Sequence, residues 1–235
     1  MLQFYCDHYP ALESKLPQVS KLIEDFLKRD ASEELELRIG SFENGQFKNG
    51  VSQEFFEHTM QLVEEFDGFS SHDPNWIQTV DYFYRHKNIG LRSRVNETGP
   101  VETVIKTVRD RADIEVYTED RDFGLAKLLP GAFRIQAAKE ANFMIGANDD
   151  LGMTLTFLRL KQRRHFLYKE WRFDFSKVWT GANFQEADRA FFTKNPSVYE
   201  IEIEFVGGSC KTPVQLAVSL LLKVLDFFPE NVMLQ

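Results

Sequence analysis

Period-two alternation of apolar and polar residues runs through most of this chain. The segments EELELRIGSF, WIQTVDYFYR, IGLRSRV, VETVIKTVRDR, IEVYTED, AFRIQAAKE, MTLTFLRLKQRRHF, KEWRFDFSKV and VYEIEIEF each alternate, with turn signals between them, and therefore predict strands. HKN, between the second and third of these, predicts a short hairpin connection. Helical spacing occurs in three places. Val19, Leu22, Ile23, Phe26 and Leu27 define one helix, with Pro17 suited to its first turn. Ser52 is a candidate cap for a second, SQEFFEHTMQLVEEF, whose Phe55, Met60, Leu62, Val63 and Phe66 predict a buried side. Thr212 and Pro213 introduce a strongly apolar third helix, PVQLAVSLLLKVLDFF. The expected class is α+β, mostly antiparallel β, with helices packed around the sheet.

The polar faces of these strands are unusual. In a half-solvated sheet they would carry Ser, Thr, Gln and Lys, whereas here Glu and Arg dominate. Glu34, Glu36 and Arg38 share one face of their strand, opposite Leu35, Leu37 and Ile39. Arg159, Lys161, Arg163 and His165 share a face; so do Arg172 and Asp174, opposite Trp171, Phe173 and Phe175. Arg92 and Arg94 align, Lys106 and Val108 alternate with Ile105 and Thr107, and Glu200, Glu202 and Glu204 stand in a row, about 7 Å apart in sequence order. Seven or eight such strands close most simply into a barrel with charged faces inward and large apolar faces outward, under the helices. The alternative is an open antiparallel sheet with one solvated side, on which the glutamate row would be the charged coat of an edge strand.

Composition supports one ordered domain over residues 1–235. The chain is 43% hydrophobic with 22 Phe, enough for a sizeable core, and no low-complexity linker divides it. No basic-then-apolar leader opens the sequence and no stretch approaches a membrane span, so an intracellular protein without membrane partners is expected. Cys6 and Cys210 form no C-x-x-C pair and read as reduced packing residues. The net charge of −8 argues against a general nucleic-acid coat, whose affinity comes from phosphate neutralisation. A polyanion is still accommodated if bases are gathered locally.

Carboxylates alternating on two strands offer hard oxygen ligands to Mg²⁺ or Mn²⁺, while Arg and Lys on facing strands suit phosphate. Together they describe a site for a metal-bound polyphosphate, where an in-line water attacks the terminal phosphorus. Other signatures are absent from the sequence: no P-loop, no G-x-G-x-x-G, no H-E-x-x-H and no G-x-S-x-G occurs, and neither cysteine precedes a Gly-rich loop ending in Arg. Of five histidines only His165 falls on a proposed inner face, where a packed or solvated residue is the ordinary reading.

In order and spacing, ELELRIG, RLKQRRHF with WRFDFSKV, and YEIEIEF resemble the metal-dependent RNA 5′-triphosphatases of fungi and large DNA viruses, within the triphosphate tunnel metalloenzymes. The resemblance spans roughly residues 33 to 206. It implies an eight-stranded β tunnel that removes the γ-phosphate from 5′-triphosphate RNA, the first step of mRNA capping, and that acts on NTPs. The compact length is closest to the giant-virus members. For those it implies host cytoplasm or virion, and a domain N-terminal to guanylyltransferase and methyltransferase domains in one polypeptide. By position, Glu34, Glu36 and Glu204 match the metal ligands, and Glu200 and Glu202 match the remaining acids, one of which orients or deprotonates water. Arg159, Lys161 and Arg163 match the phosphate-contacting strand, and Arg172, Asp174 and Lys177 the next. Lys177 has the wrong parity relative to Asp174, so a bulge or strand end would have to re-aim it. Lys106 and Glu140 fit two further positions, as phosphate contacts or as an interior salt bridge, and Arg92 or Arg94 supplies one more contact. Relatives acting on small triphosphates generally carry Glu-x-Glu-x-Lys, whereas position 38 is Arg; this and Glu204 favour the RNA branch. Hydrolysis of inorganic or small organic triphosphates, and non-catalytic polyphosphate binding, are the alternatives.

Overall fold

The computed structural model describes residues 10–29, 33–68, 71–72, 75–86, 89–96, 102–118, 131–143, 152–208, 211–227 and 232–234. Cys6, Cys210 and the Lys87–Asn88 part of the predicted hairpin lie outside them.

The strands are β1 (Glu33–Glu43), β2 (Gln46–Asn49), β3 (Ser71–His72), β4 (Ile77–His86), β5 (Ile89–Asn96), β6 (Glu102–Thr118), β7 (Ala132–Asn142), β8 (Met153–Tyr168), β9 (Trp171–Gly181), β10 (Val198–Phe205) and β11 (Val232–Leu234). The antiparallel path β10-β9-β8-β4-β5-β6-β7-β1 closes on itself because β1 also pairs β10, Glu36 standing opposite Glu204. The result is the closed eight-stranded barrel, and the open-sheet alternative is set aside. β2 extends β1 through an Asn44–Gly45 turn. Both residues have positive φ (51° and 74°), as the tight turn favoured by right-twisted strands demands.

Alternation dictates the layering. The outward residues Leu37, Phe175, Ile201 and Ile203 are fully buried, or nearly so, beneath helices α1 (Pro10–Leu27), α2 (Gln53–Glu65) and α4 (Pro213–Leu225). The hydrophobic core therefore lies outside the barrel. Phe56 of α2 meets Phe175 at 5.6 Å and Tyr199 at 5.1 Å between ring centroids. Burying an aromatic or aliphatic side chain of this kind contributes about 1.5–3 kcal/mol, so a handful of such contacts suffices to seat a helix. A smaller cluster forms where α3 (Phe184–Thr193) lays Ala187 against Leu158, Leu160 and Trp179.

Several local expectations change. Pro10, not Pro17, opens α1; Pro17 lies inside the helix, which continues past the lost N–H. On α2 the buried side is Phe55, Phe56, Thr59 and Val63, whereas Leu62 and Phe66 are exposed. ETVIKTVRDR and IEVYT form one 17-residue strand, Glu102–Thr118, with a register shift between Val108 and Asp110. Helix α3 was not expected from its short apolar stripe, although Asn183 caps it by accepting from the Glu186 amide. Ser52 and Thr212 cap α2 and α4 as predicted, Thr212 with Gln215 forming a capping box. None of the described helices is long and apolar enough to cross a membrane.

Candidate active site

The barrel encloses a cavity of about 640 Å³, within the range of ligand sites. Nine basic and seven acidic side chains line it, a surplus of positive charge inside a chain whose net charge is −8. Period-two alternation puts these groups there: apolar residues take most outer positions of the strands and leave the charged ones facing inward.

The acids come mainly from β1 and β10, which are neighbours. Glu36 is held by the amide of Gln136, by Arg38 Nη2 at 3.1 Å and by Lys106 Nζ at 2.7 Å. The same lysine lies 3.1 Å from Glu34 and 3.7 Å from Glu140. Arg38 Nε lies 3.0 Å from Glu202, so this arginine bridges the two strands. Glu204 pairs with Arg172, which also reaches Asp174 at 3.1 Å. The bases come mainly from β8 and β5. Arg159 and Lys161 converge on Glu200, the lysine at 2.8 Å, and Asn49 donates to the same carboxylate at 2.9 Å. Arg163 is 3.6 Å from Asp174 and donates to Ser176 at 3.3 Å. On β5, Arg92 pairs with Glu140 at 2.8 Å, and Arg94 grips Asp81 through two hydrogen bonds of 2.7 and 3.1 Å.

Electrostatics separates the acids of β10. Burial pushes the Glu202 carboxyl up, but Arg38, Lys161 and Arg163 outweigh it and hold it well below the usual range. Glu200 is likewise held down, Lys161 and Arg159 overcoming its burial. Two residues further on, Glu204 is pushed up to about 7 by burial, against the pull of Arg172, with Glu34, Asp174 and Glu36 adding to the rise. That crowding leaves Glu204 itself under-compensated, although Arg38 and Lys106 serve the β1 acids beside it.

The sequence-predicted residues are thus mostly brought together. Glu34, Glu36, Glu202, Glu204, Arg92, Arg94, Lys106, Glu140, Arg159, Lys161, Arg163, Arg172 and Asp174 all line the cavity. Two predictions are corrected. Lys177 keeps the outer-face parity of Phe175 and Trp179, with an unbroken register to β8, and its ammonium lies 4.6 Å from the Trp76 ring centre; no bulge re-aims it. Glu200, 1% exposed, does not line the cavity but anchors Arg159 and Lys161 from behind. His165 stands opposite Asp174 in register and so keeps the inner-face parity read from the sequence, without lining the cavity. Lys106 and Glu140 do approach each other, but the closer partners of Lys106 are Glu36 and Glu34. Asp81, Gln136 and the bridging role of Arg38 were missed. Asp81 alternates with Val80 and Tyr82, and Gln136 shares parity with Glu140, so the signal was present but not charged strongly enough to stand out.

For a hard divalent cation, Glu34, Glu36 and Glu204 are suitable in donor type and in placement, on adjacent strands with Glu36 directly opposite Glu204. Among the described residues, however, no three acidic, histidine or cysteine side chains are gathered as a metal cage. The carboxylates instead face Lys106, Arg38 and Arg172, which would have to release them.

No protein-family model matches the chain, and no curated protein matches it. Solved structures do. The Schizosaccharomyces pombe Pct1 RNA triphosphatase superposes with a TM-score of 0.62 at 15% identity, covering 90% of this chain and 92% of that one. The RNA triphosphatase domain of a trifunctional mimivirus mRNA capping enzyme gives a TM-score of 0.60 at 14% identity, covering 92% and 97%. At these identities the likeness establishes the fold: this chain is built as the same kind of barrel that these RNA triphosphatases use, as the sequence motifs implied.

Proposed function

We propose that the chain hydrolyses the γ-phosphate of 5′-triphosphate RNA, and of NTPs, with a divalent cation such as Mg²⁺ or Mn²⁺. The observation that carries this reading is the mixed-charge lining of a closed barrel, acids on β1 and β10 facing bases on β8 and β5, in a fold shared with RNA triphosphatases. Glu34, Glu36 and Glu204 would hold the cation, which would supply charge neutralisation on the phosphate oxygens. Arg159, Lys161 and Arg163 bind and orient the triphosphate, with Arg92 or Arg94 as a further contact. Arg172 and Asp174 position Glu204. Glu202, held ionised by Arg38, accepts a hydrogen bond from the attacking water. Glu200 acts only through the bases it anchors. The reading also assigns the product to guanylyl and methyl transfer by neighbouring domains or partners, since the mimivirus match is one domain of a trifunctional capping enzyme.

A non-catalytic polyphosphate-binding module is the second reading, favoured by Arg38 and Lys106 occupying the carboxylates that a cation would need. Phosphate release from 5′-triphosphate RNA, ATP and tripolyphosphate, with Mg²⁺ or Mn²⁺, separates the two. The expected outcome is hydrolysis abolished by chelation and reduced about 10²–10³-fold in Glu36→Ala and Glu204→Ala, the scale of losing a preorganised charge contact. Equal rates in the wild type and both variants, or activity that survives chelation, would sink the mechanism. Hydrolysis of tripolyphosphate but not RNA would move the substrate to small triphosphates.

A further inference from the structure

The charged lining gives way to aromatic rings near one rim of the cavity. Along the β4–β8 pair the inward ranks read Thr79 with Lys161, then Asp81 with Arg159, then Phe83 with Phe157. The two phenyl rings stack at 4.5 Å with an interplanar angle of 13°. Both line the cavity, and Phe157 remains 37% exposed. A register shift follows Phe83, pinned by the Thr156 hydroxyl donating to the Phe83 carbonyl at 2.8 Å, and it brings Tyr84 to the lining as well. Gly90 stands opposite Arg85 at the same rim, and a side chain built there would meet nothing within 4 Å. An apolar ring left more than a third exposed inside a charged cavity is costly to keep wet, and at the same rim Gly90 opens onto unfilled space.

We infer that Phe83 and Phe157 form a stacking platform for the nucleobase that follows the triphosphate, with Phe157 presenting the open face. The inference rests on the triphosphatase reading and deepens it. Arg159, one rank deeper at about 7 Å along the strand, holds phosphate while the base lies on the ring. Arg85, exposed at the rim, meets the phosphate of the next nucleotide when the substrate is RNA. Aromatic stacking accepts every base, so the platform distinguishes a nucleotide from inorganic polyphosphate without selecting sequence.

The test is the ratio of dissociation constants for ATP and for tripolyphosphate, measured by calorimetry on the full chain, with a short 5′-triphosphate RNA as a third ligand. Phe157→Leu keeps apolar bulk and removes the π face; Phe157→Trp keeps it. The ATP-to-tripolyphosphate ratio is expected to rise roughly tenfold in Phe157→Leu and to hold or fall in Phe157→Trp, with thermal melting confirming that both fold. The same rise for RNA assigns the platform to RNA ends; a rise for ATP alone assigns it to free nucleotides. A ratio unchanged within twofold in Phe157→Leu, or a chain that binds none of the ligands, overturns the inference. Hydrolysis is scored separately. A shifted ratio without turnover keeps the platform and removes the triphosphatase reading, whereas turnover with an unshifted ratio does the reverse.

Discussion

Glu202 and Glu204 sit two residues apart on one face of one strand, yet their surroundings pull them in opposite directions. Glu202 belongs to the saturated part of the cavity, where Arg38, Lys161 and Arg163 surround it and hold it ionised. Glu204 belongs to the corner it shares with Glu34 and Glu36, where its own ion-pair partner is Arg172, while Arg38 and Lys106 are taken up by Glu36 and Glu34, and burial drives the Glu204 carboxyl up to about 7. The difference teaches that a row of like charges is not one functional unit. Neighbouring strands decide how each acid is balanced, and on β10 Glu204, opposite Glu36 where β1 meets β10, is pushed the opposite way from Glu202.

The comparison can be broken most severely at its saturated end. Glu200 is 1% exposed and holds both Arg159 and Lys161, itself 4% exposed, so Glu200→Ala strands a buried ammonium. Removing one partner of such a group costs about 3–5 kcal/mol, and urea unfolding should show a loss of that size. A midpoint unchanged from wild type would mean that Glu200 anchors nothing.

Acid sharpens the same contrast more gently. Burial works against Asp81, Glu200 and Glu202, but their basic partners win and depress all three in the folded state. A depressed carboxyl contributes stability that is fully present above its unfolded pKa, roughly 4–4.5, and is lost as pH falls through the folded value. Thermal stability should therefore decline steadily below about pH 4.5, by a margin that shrinks in Asp81→Asn. A melting temperature flat from pH 6 to pH 3 would contradict the assignment.

The smallest effect is expected outside the barrel. Lys177 lies over the Trp76 ring on the outer face, a contact worth about 0.5–1 kcal/mol at an exposed site. Lys177→Ala should cost no more than that in stability and leave phosphate release within twofold of wild type. A loss like that of Glu36→Ala would restore Lys177 to the site and refute the parity argument.

Much of the barrel was legible along the chain because period two is a local property. The outward Leu37, Ile201 and Phe175 and the inward Glu36, Glu202 and Asp174 could be sorted without knowing which strands meet. The same rule already marked Lys177 as misplaced, since only a bulge reverses parity and none is present between β8 and β9. Less was legible where one residue decides. Phe56 replaces Leu62 and Phe66 on the buried side of α2 because the helix turns toward Phe175 and Tyr199, a rotation that apolar spacing alone leaves open. The bulge in β6 likewise joins two apparent strands into one.

What the sequence by itself determined is the alternation, and with it the charged interior, the apolar exterior and the identity of most of the charged lining residues. Only the tertiary structure decided their partners. Register sets Glu36 against Glu204, and closure brings Arg38 to Glu202 and Lys106 to Glu34 and Glu36. A carboxylate's behaviour depends on charges within a few ångströms, most of them far away in sequence. That is why three glutamates alike in VYEIEIEF became a buried anchor, an ionised acid and a crowded, proton-hungry one.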